Sequence, residues 1–197
     1  MDYNQIKDKL SKFKIGIAGA GGLGSNCAVS LVRAGITNII IADFDIVTES
    51  NLNRQYFFHN QIGMKKVKAL ADNLFRINKN INLQLIDKKL VAKDITTYFA
   101  DCDVIVEAFD DKKEKQMLIE TVIEKMPAKP LIIGSGMAGW GDNNSLKTEK
   151  FDNTYICGDG VSEVDINLPP LGTRVAIVAN MQANQVLEIL LGKMNIK

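Results

Sequence analysis

The feature that most restricts the fold of this chain is a short apolar run that dissolves into glycines and then turns helical. Phe13-Lys14-Ile15-Gly16-Ile17-Ala18 reads as a strand, Gly19-Ala20-Gly21-Gly22-Leu23-Gly24 as a tight turn, and about Leu23 to Ala34 as a helix that Gly35 ends. A strand that must feed a helix within so few residues needs backbone freedom and close approach, which glycine supplies. The alternation then recurs. Asn38 to Ala42 predicts a strand, and Gly63 to Ile77 a helix, with Val67, Leu70, Leu74 and Ile77 at helical spacing. Leu83 to Ile86 predicts a strand, Ile95 to Phe99 a short helix, and Asp103 to Ala108 a further strand. Lys112 to Lys125 predicts a helix that stops before Pro127, and Pro130 to Ile133 a strand broken by Gly134-Ser135-Gly136.

Such alternation predicts an α/β fold, a Rossmann-like open, mostly parallel sheet flanked by helices. Past Gly134 the pattern changes. Ser145 to Phe151 and Asn153 to Ile156 predict two less regular strands, a small mixed or antiparallel extension of the sheet. Gly158 to Leu171, with Pro169-Pro170, predicts a loop, and Val175, Val178, Met181, Leu187 and Leu190 a closing helix. With 197 residues, 46% of them hydrophobic, the chain can bury the core of one domain, so a single domain over residues 1–197 is expected. A net charge of +1 gives no electrostatic reason for a nucleic-acid partner. The apolar runs fall far short of the roughly 20 residues of a membrane span, and Met1-Asp2-Tyr3-Asn4-Gln5 is no export signal. Cys27, Cys102 and Cys157 are odd in number and far apart, so a reducing, cytoplasmic setting is expected.

In an open parallel sheet, ligands bind at the carboxyl ends of the strands. Three candidate groups fall there: Gly19, Gly21, Gly22 and Gly24 after the first strand, Asp43 after the second, and Asp110-Asp111 close behind the fourth. The glycines let backbone N–H groups approach phosphate, and the following helix start adds partial positive charge. Asp43 stands 19 residues after Gly24, the spacing of a ribose-binding carboxylate. On these features alone a dinucleotide site fits as well as an ATP site. Asp45, the polar run Ser50-Asn51-Leu52-Asn53-Arg54-Gln55, and Lys65-Lys66 after Gly63 add acceptors and fixed cations around the same crevice. Adjacent carboxylates at 110 and 111 suit Mg²⁺, which prefers oxygen, although such a pair also suits a helix N-cap.

Taken in order, Gly19-Ala20-Gly21-Gly22-Leu23-Gly24, Asp43-x-Asp45, Ser50-Asn51-Leu52-Asn53-Arg54-Gln55, Gly63-x-x-Lys66 and Asp110-Asp111 resemble the ThiF/MoeB superfamily, adenylyltransferases of sulfur-carrier proteins related to ubiquitin-activating enzymes. Gly134 to Gly139 and Tyr155 to Asp159 resemble a short ThiF-like branch of thiamine synthesis. The resemblance implies an ATP-binding half over residues 1–134 and a carrier-binding, closing half over 135–197. It implies that Gly22 and its neighbours contact phosphates and Asp43 the ribose. Asn51, Arg54 and Lys66 would surround the triphosphate, with Asp45 and Gln55 in the same nucleotide site, and Asp110 would hold Mg²⁺. Asp111 stands where larger relatives often have Asn. The implied partners are a ThiS-like sulfur carrier with a β-grasp fold and a second copy of the chain, with RNA or a peptide as alternative acceptors and a non-catalytic partner subunit as a further alternative.

The implied reaction joins a carrier's C-terminal glycine carboxylate to the α-phosphorus of ATP and releases pyrophosphate. That carboxylate, with a pKa of about 3.5, is already ionised, so no general base is needed. The chain departs from larger relatives in two ways. It has no Cys-x-x-Cys pair, so no structural zinc is expected, and no arginine precedes Arg33. Cys157 is expected to be packed, with attack on an acyl-adenylate as the alternative. His59 is expected to pack or face solvent, and Trp140 either borders a partner surface or caps the core. The end, Met194-Asn195-Ile196-Lys197, lacks a glycine pair, so the chain is not expected to be the carrier.

Overall fold

In the computed structural model, which describes residues 1–192, the elements run α1 (Tyr3–Leu10), β1 (Lys14–Ala18), α2 (Gly22–Ala34), β2 (Asn38–Ala42), α3 (Lys66–Ile77) and β3 (Asn82–Ile86). There follow α4 (Ala92–Tyr98), β4 (Val104–Glu107), α5 (Lys112–Lys125), β5 (Leu131–Gly134), β6 (Lys147–Phe151), β7 (Thr154–Gly158) and α6 (Gly172–Leu191). The strands form one sheet in the order β3-β2-β1-β4-β5-β7-β6, parallel throughout except for the β6–β7 pair. Strand β1 pairs with β2 on one side and β4 on the other, so the chain reverses its direction of travel across the sheet at the β1–β4 boundary.

The two-residue period of the strands sorts their side chains into two cores. Ile15, Ile17, Ile39, Ile41, Val104, Val106 and Ile132 face the layer holding α2, α3 and α6. Ile40, Ala42, Ile105, Leu131 and Ile133 face α4 and α5. Gly16 has a packing reason: a Cβ there would stand 2.6 Å from Cδ1 of Phe99, which is fully buried. Among the described residues no helix is long and apolar enough to cross a membrane.

The expected strands and helices are present, with instructive shifts. Helix α1 was not foreseen; it is short, buries only Leu10, and is started by an Asp2–Gln5 capping box rather than by a long apolar stripe. Helix α3 starts at Lys66 rather than Gly63, because Gly63 has φ +87° and Lys65 bridges to Ile46. Helix α4 is longer than expected. Strands β6 and β7, expected to be irregular, form a five-pair antiparallel hairpin whose turn holds Asp152 at φ 50°. Residues 194–197, the basis for excluding a carrier role, lie outside the described residues.

A Cβ on Gly24 would sit 1.8 Å from the Gly19 carbonyl oxygen, whereas one on Gly21 would meet only Gln55 Nε2 at 3.8 Å. Gly24→Ala must therefore push α2 off the sheet and should cost about 1–3 kcal/mol. Gly21→Ala should change stability by no more than about 0.5 kcal/mol. Equilibrium urea unfolding of the two variants checks the contrast.

Candidate functional site

The carboxyl ends of β1, β2 and β4 meet at a backbone knot. Gly19 N–H donates to Ala42 O at 2.8 Å, and Ala108 N–H to Ala18 O at 2.8 Å. Gly19 has φ +102°, and a Cβ there would come within 2.5 Å of the Ala108 carbonyl oxygen. Helix α2 leaves this knot with Gly21 as its N-cap and no side chain capping it. Its first amides are thus presented without a competing side-chain acceptor, an arrangement suited to an anion. Gly21 has no protein contact that forbids a side chain, unlike Gly19 and Gly24, so the space above it is available to a ligand.

Asp43, one residue past β2, closes one side of the turn. Its Oδ2 accepts from Ala20 N–H at 2.7 Å and its Oδ1 from Asp45 N–H at 2.8 Å. Burial pushes its carboxyl above the ordinary value, against the pull of Lys66 and of those two amides. Lys66, the first residue of α3, is buried, and its Nζ lies 2.7 Å from Asp45 Oδ2. Arg54 runs its stem past Gly22, with Cγ and Cδ 3.6 and 3.8 Å from where a Gly22 Cβ would be. Its Nη1 donates to Ser50 O at 3.0 Å and Asn53 Oδ1 at 2.8 Å. Asn51 Oδ1 accepts from Thr48 N–H and shapes the 3₁₀ turn Glu49–Asn51. Gln55 is buried beside Gly21, and its Oε1 is without a partner.

These residues therefore gather around one turn, but several already have duties within the protein. Asp111 is the clearest case: its Oδ1 accepts from Lys113 and Glu114 N–H, making it the N-cap of α5. Asp110 is exposed beside it, with no hydrogen bond or ion pair among the described residues. No group of three or more His, Cys, Asp or Glu side chains among the described residues is arranged to hold a metal ion. Two cavities, of about 330 and 450 Å³, lie elsewhere, against α3 and beside Pro127, and include none of these groups.

Residues that the sequence reading did not single out complete the surroundings. Asn26 Nδ2 donates to Gly22 O and Arg54 O, and Ser25 Oγ accepts from Tyr56 N–H, so α2 holds the 51–56 loop. The Lys89 ammonium lies 5.5 Å from the Phe44 ring centroid and 2.7 Å from Glu114 Oε1. Glu107, fully buried at the end of β4, accepts from Phe109 N–H at 2.7 Å and pairs with Lys115, which also donates to Gly134 O at 3.1 Å. A charge inside the apolar run Val104-Ile105-Val106-Glu107 was the available signal. Arg174, on the first turn of α6, carries its Nη2 2.8 Å from Asp159 Oδ2 and 3.2 Å from Ser145 Oγ, and its Nη1 bonds Gly141 O.

Cys157 lies fully buried at the end of β7, its Sγ 3.6 Å from Thr148 Oγ1, and burial raises its thiol. Burial also raises Cys27, and pushes Cys102 up to about 12. These are packed thiols with little thiolate at neutral pH. His59 is exposed at the start of a 3₁₀ turn, and Trp140 is 70% exposed, so it caps no core.

Burial opposes ionisation of Asp159, but the Ser162 amide and hydroxyl, the Val161 amide and Arg174 outweigh it and hold the carboxyl well below the usual range. The unfolded value is about 3.9. With the folded value depressed, the stability this group contributes is complete above pH 4 and is lost as pH falls toward the folded value. Asp159→Asn should therefore lower stability at pH 7 and flatten its decline below pH 4. Urea midpoints measured from pH 2.5 to 7 check this.

Residues 4–197 match the ThiF family. Adenylyltransferase and sulfurtransferase UBA4 of Candida glabrata is 29% identical over 195 residues, 95% of this chain and 44% of that protein. A probable molybdopterin-synthase adenylyltransferase of Porphyra purpurea is 26% identical over 193 residues, 94% of this chain and 50% of that protein. The chain thus spans half the length, or less, of these curated relatives. In structure it is similar to E. coli tRNA N6-threonylcarbamoyladenosine dehydratase, TcdA, solved in complex with AMP, with a TM-score of 0.86 at 18% identity over 95% of this chain and 89% of that one. With nearly its whole length matched and the glycine turn, Asp43, Arg54 and Lys66 assembled at one sheet edge, the chain belongs to the ThiF family.

Proposed function

We propose that this protein is an ATP-dependent adenylyltransferase that joins the C-terminal carboxylate of a small ubiquitin-like carrier, of the ThiS kind used in thiamine synthesis, to the α-phosphorus of ATP. The observation that carries this reading is the convergence of uncapped α2, Asp43, Lys66 and Arg54 on the carboxyl ends of β1 and β2. The names of the UBA4 and molybdopterin-synthase relatives support adenylyl transfer, and the nucleotide held by TcdA supports ATP.

The chemistry is electrostatic. An anionic carboxylate must approach an anionic triphosphate, and two unit charges 4 Å apart repel by about 4 kcal/mol at an effective dielectric of 20. Amides of the Gly21–Gly24 turn, the Arg54 guanidinium and the Lys66 ammonium would offset that repulsion and stabilise the departing pyrophosphate. Lys66 is stored against Asp45 and Arg54 against Ser50 O and Asn53, so phosphate oxygens would take over positions now held by protein acceptors. Asp43 would accept ribose hydroxyls on the lone pairs its two amide donors leave unused. Asp110 fits Mg²⁺: the ion commonly takes one or two carboxylates and completes its shell with phosphates and water, and an exposed, unpaired carboxylate is what this chain offers. Bound there, Mg²⁺ would neutralise phosphate charge.

A protein acceptor is favoured over RNA by the acceptor-side loop. Between Lys150 and Arg174 there is no basic residue to meet a phosphate backbone, while Val161, Val164 and Ile166 are 81%, 58% and 94% exposed. Residues 135–197 would then serve as the carrier-binding half and 1–134 as the nucleotide half. A homodimer would cover Phe58, Ile62 and Phe75, exposed on and near α3.

Arg54→Ala and Lys66→Ala should each slow turnover a hundredfold or more, the scale of about 2.7–4 kcal/mol per preorganised donor. The assay is ATP-dependent pyrophosphate release with a ThiS-like carrier, followed by intact mass. Gain of an adenylyl group on the carrier's terminal glycine supports the reading; near-normal activity of both variants defeats the assigned roles.

A further inference from the structure

Nothing in the proposed chemistry uses Arg174, yet among the described residues past Gly134 it is the most heavily engaged buried cation. Its side chain is 5% exposed, as is that of Asp159. Its two terminal nitrogens reach Gly141 O, Ser145 Oγ and Asp159 Oδ2, while its Nε is buried without a partner. Asp159 in turn accepts from Val161 N–H at 2.8 Å and Ser162 N–H at 2.7 Å, and Ser162 Oγ accepts from Ala138 N–H at 3.1 Å. One guanidinium thus fastens the loop after β5 and the turn after β7 to a single point. Both follow strands whose carboxyl ends lie at the same sheet edge as the glycine turn.

That point is the first turn of α6, and its other face touches the nucleotide side. A Cβ on Gly172 would meet Asn53 O at 2.5 Å, and Val175 Cγ1 would stand 2.8 Å from a Cβ on Gly22. The turn spanning Gly172 to Val175 is therefore wedged between the acceptor-side loops and the Gly22–Arg54 wall. Packed interiors transmit displacement rather than absorb it, because their voids are small. In-line attack requires the carboxylate and the α-phosphorus to be held about 3–3.5 Å apart, so the two walls must share one frame.

We infer that Arg174, held by Asp159, is a positioning residue that locks the acceptor-side loops to the phosphate turn through the first turn of α6, so that nucleotide binding at Gly21–Gly24 orders the loops at residues 138–145 and 159–163. The inference rests on the nucleotide site proposed above and adds its coupling to the acceptor side. Lysine cannot replace arginine here, since one point charge does not span three acceptors in the plane of a guanidinium.

Hydrogen–deuterium exchange of the full chain, with and without saturating ATP and Mg²⁺, tests this without an acceptor. In the parent protein, ATP should slow exchange at residues 19–25 and, at least fivefold, at 138–145 and 159–163. Arg174→Lys and Asp159→Asn should keep the slowing at 19–25 and reduce that at the two loops to less than twofold. Val175→Ala loosens the wedge from the nucleotide side without disturbing a buried charge, and should have the same effect even if the polar variants fold poorly. Loop protection in Val175→Ala or Arg174→Lys equal to the parent's overturns the inference. So does a parent protein that is protected at 19–25 but not at the loops. A parent unprotected at 19–25 overturns the nucleotide reading and the coupling with it.

Discussion

The architecture depends on a contact between backbones. Where β1 ends, the Gly19 carbonyl lies against Gly24 of α2 and the Gly19 Cα against the carbonyl of Ala108, at separations that leave no room for a Cβ. This seats α2 on the sheet, brings the ends of β1, β2 and β4 into register, and aims the first amides of α2 along that edge. Everything described at the site is placed relative to that junction. Ser25 and Asn26, on the first turn of α2, hold the 51–56 loop, and Asp43 is tied to Ala20 inside the glycine turn. A larger residue at either glycine would disturb the helix, the strands and the loop together.

Around this junction the cations are stored against resident acceptors. Lys66 rests on Asp45, Arg54 on Ser50 and Asn53, Lys115 on Glu107, and Arg174 on Asp159. The partners divide by exposure. Asp45 is half-exposed, while Glu107 and Asp159 are fully or nearly enclosed and their pairs hold strand ends and loops in place. Breaking an enclosed pair strands a charge in low dielectric, at about 3–5 kcal/mol, and such pairs are correspondingly poor at releasing their cations to a ligand. The same elements thus combine pairs whose carboxylate is enclosed with one whose carboxylate reaches solvent.

Much of the fold was legible because its signals are local. A strand–glycine–helix unit, β-branched runs and helical periodicity are read over a few residues, and they located the sheet's strands and the helices from α2 to α6. The signals that failed were those set by distant partners. Helix α1 is the exception: its Asp2–Gln5 capping box is a local signal, left unread because the helix buries only Leu10 and carries no long apolar stripe. The β6–β7 hairpin is joined to the sheet by β5, which pairs with β7 in parallel from Thr154 to Cys157. At the site, Asp43 was marked by its spacing from the glycine turn, and Arg54 and Lys66 by the resemblance their polar runs carry; the structure brings the three to one sheet edge. The Asp110-Asp111 pair was readable as a helix N-cap, the role Asp111 takes, whereas the turn-forming role of Asn51 depended on neighbouring backbone geometry.

The chain by itself determined that it forms a parallel α/β sheet, that glycines follow its first strand, and that carboxylates and cations follow at the strand ends; these are consequences of residue type and order. Tertiary structure alone decided which charges are enclosed and which are exposed, and that Arg174 and Asp159, 15 residues apart, meet beside the first turn of α6. It also decided that the first turn of α6 rests on Asn53 and Gly22, more than 100 residues earlier in the chain. The reason is physical. Propensity and hydrophobic period act between near neighbours, whereas desolvation and close packing act between whatever surfaces the folded sheet brings together.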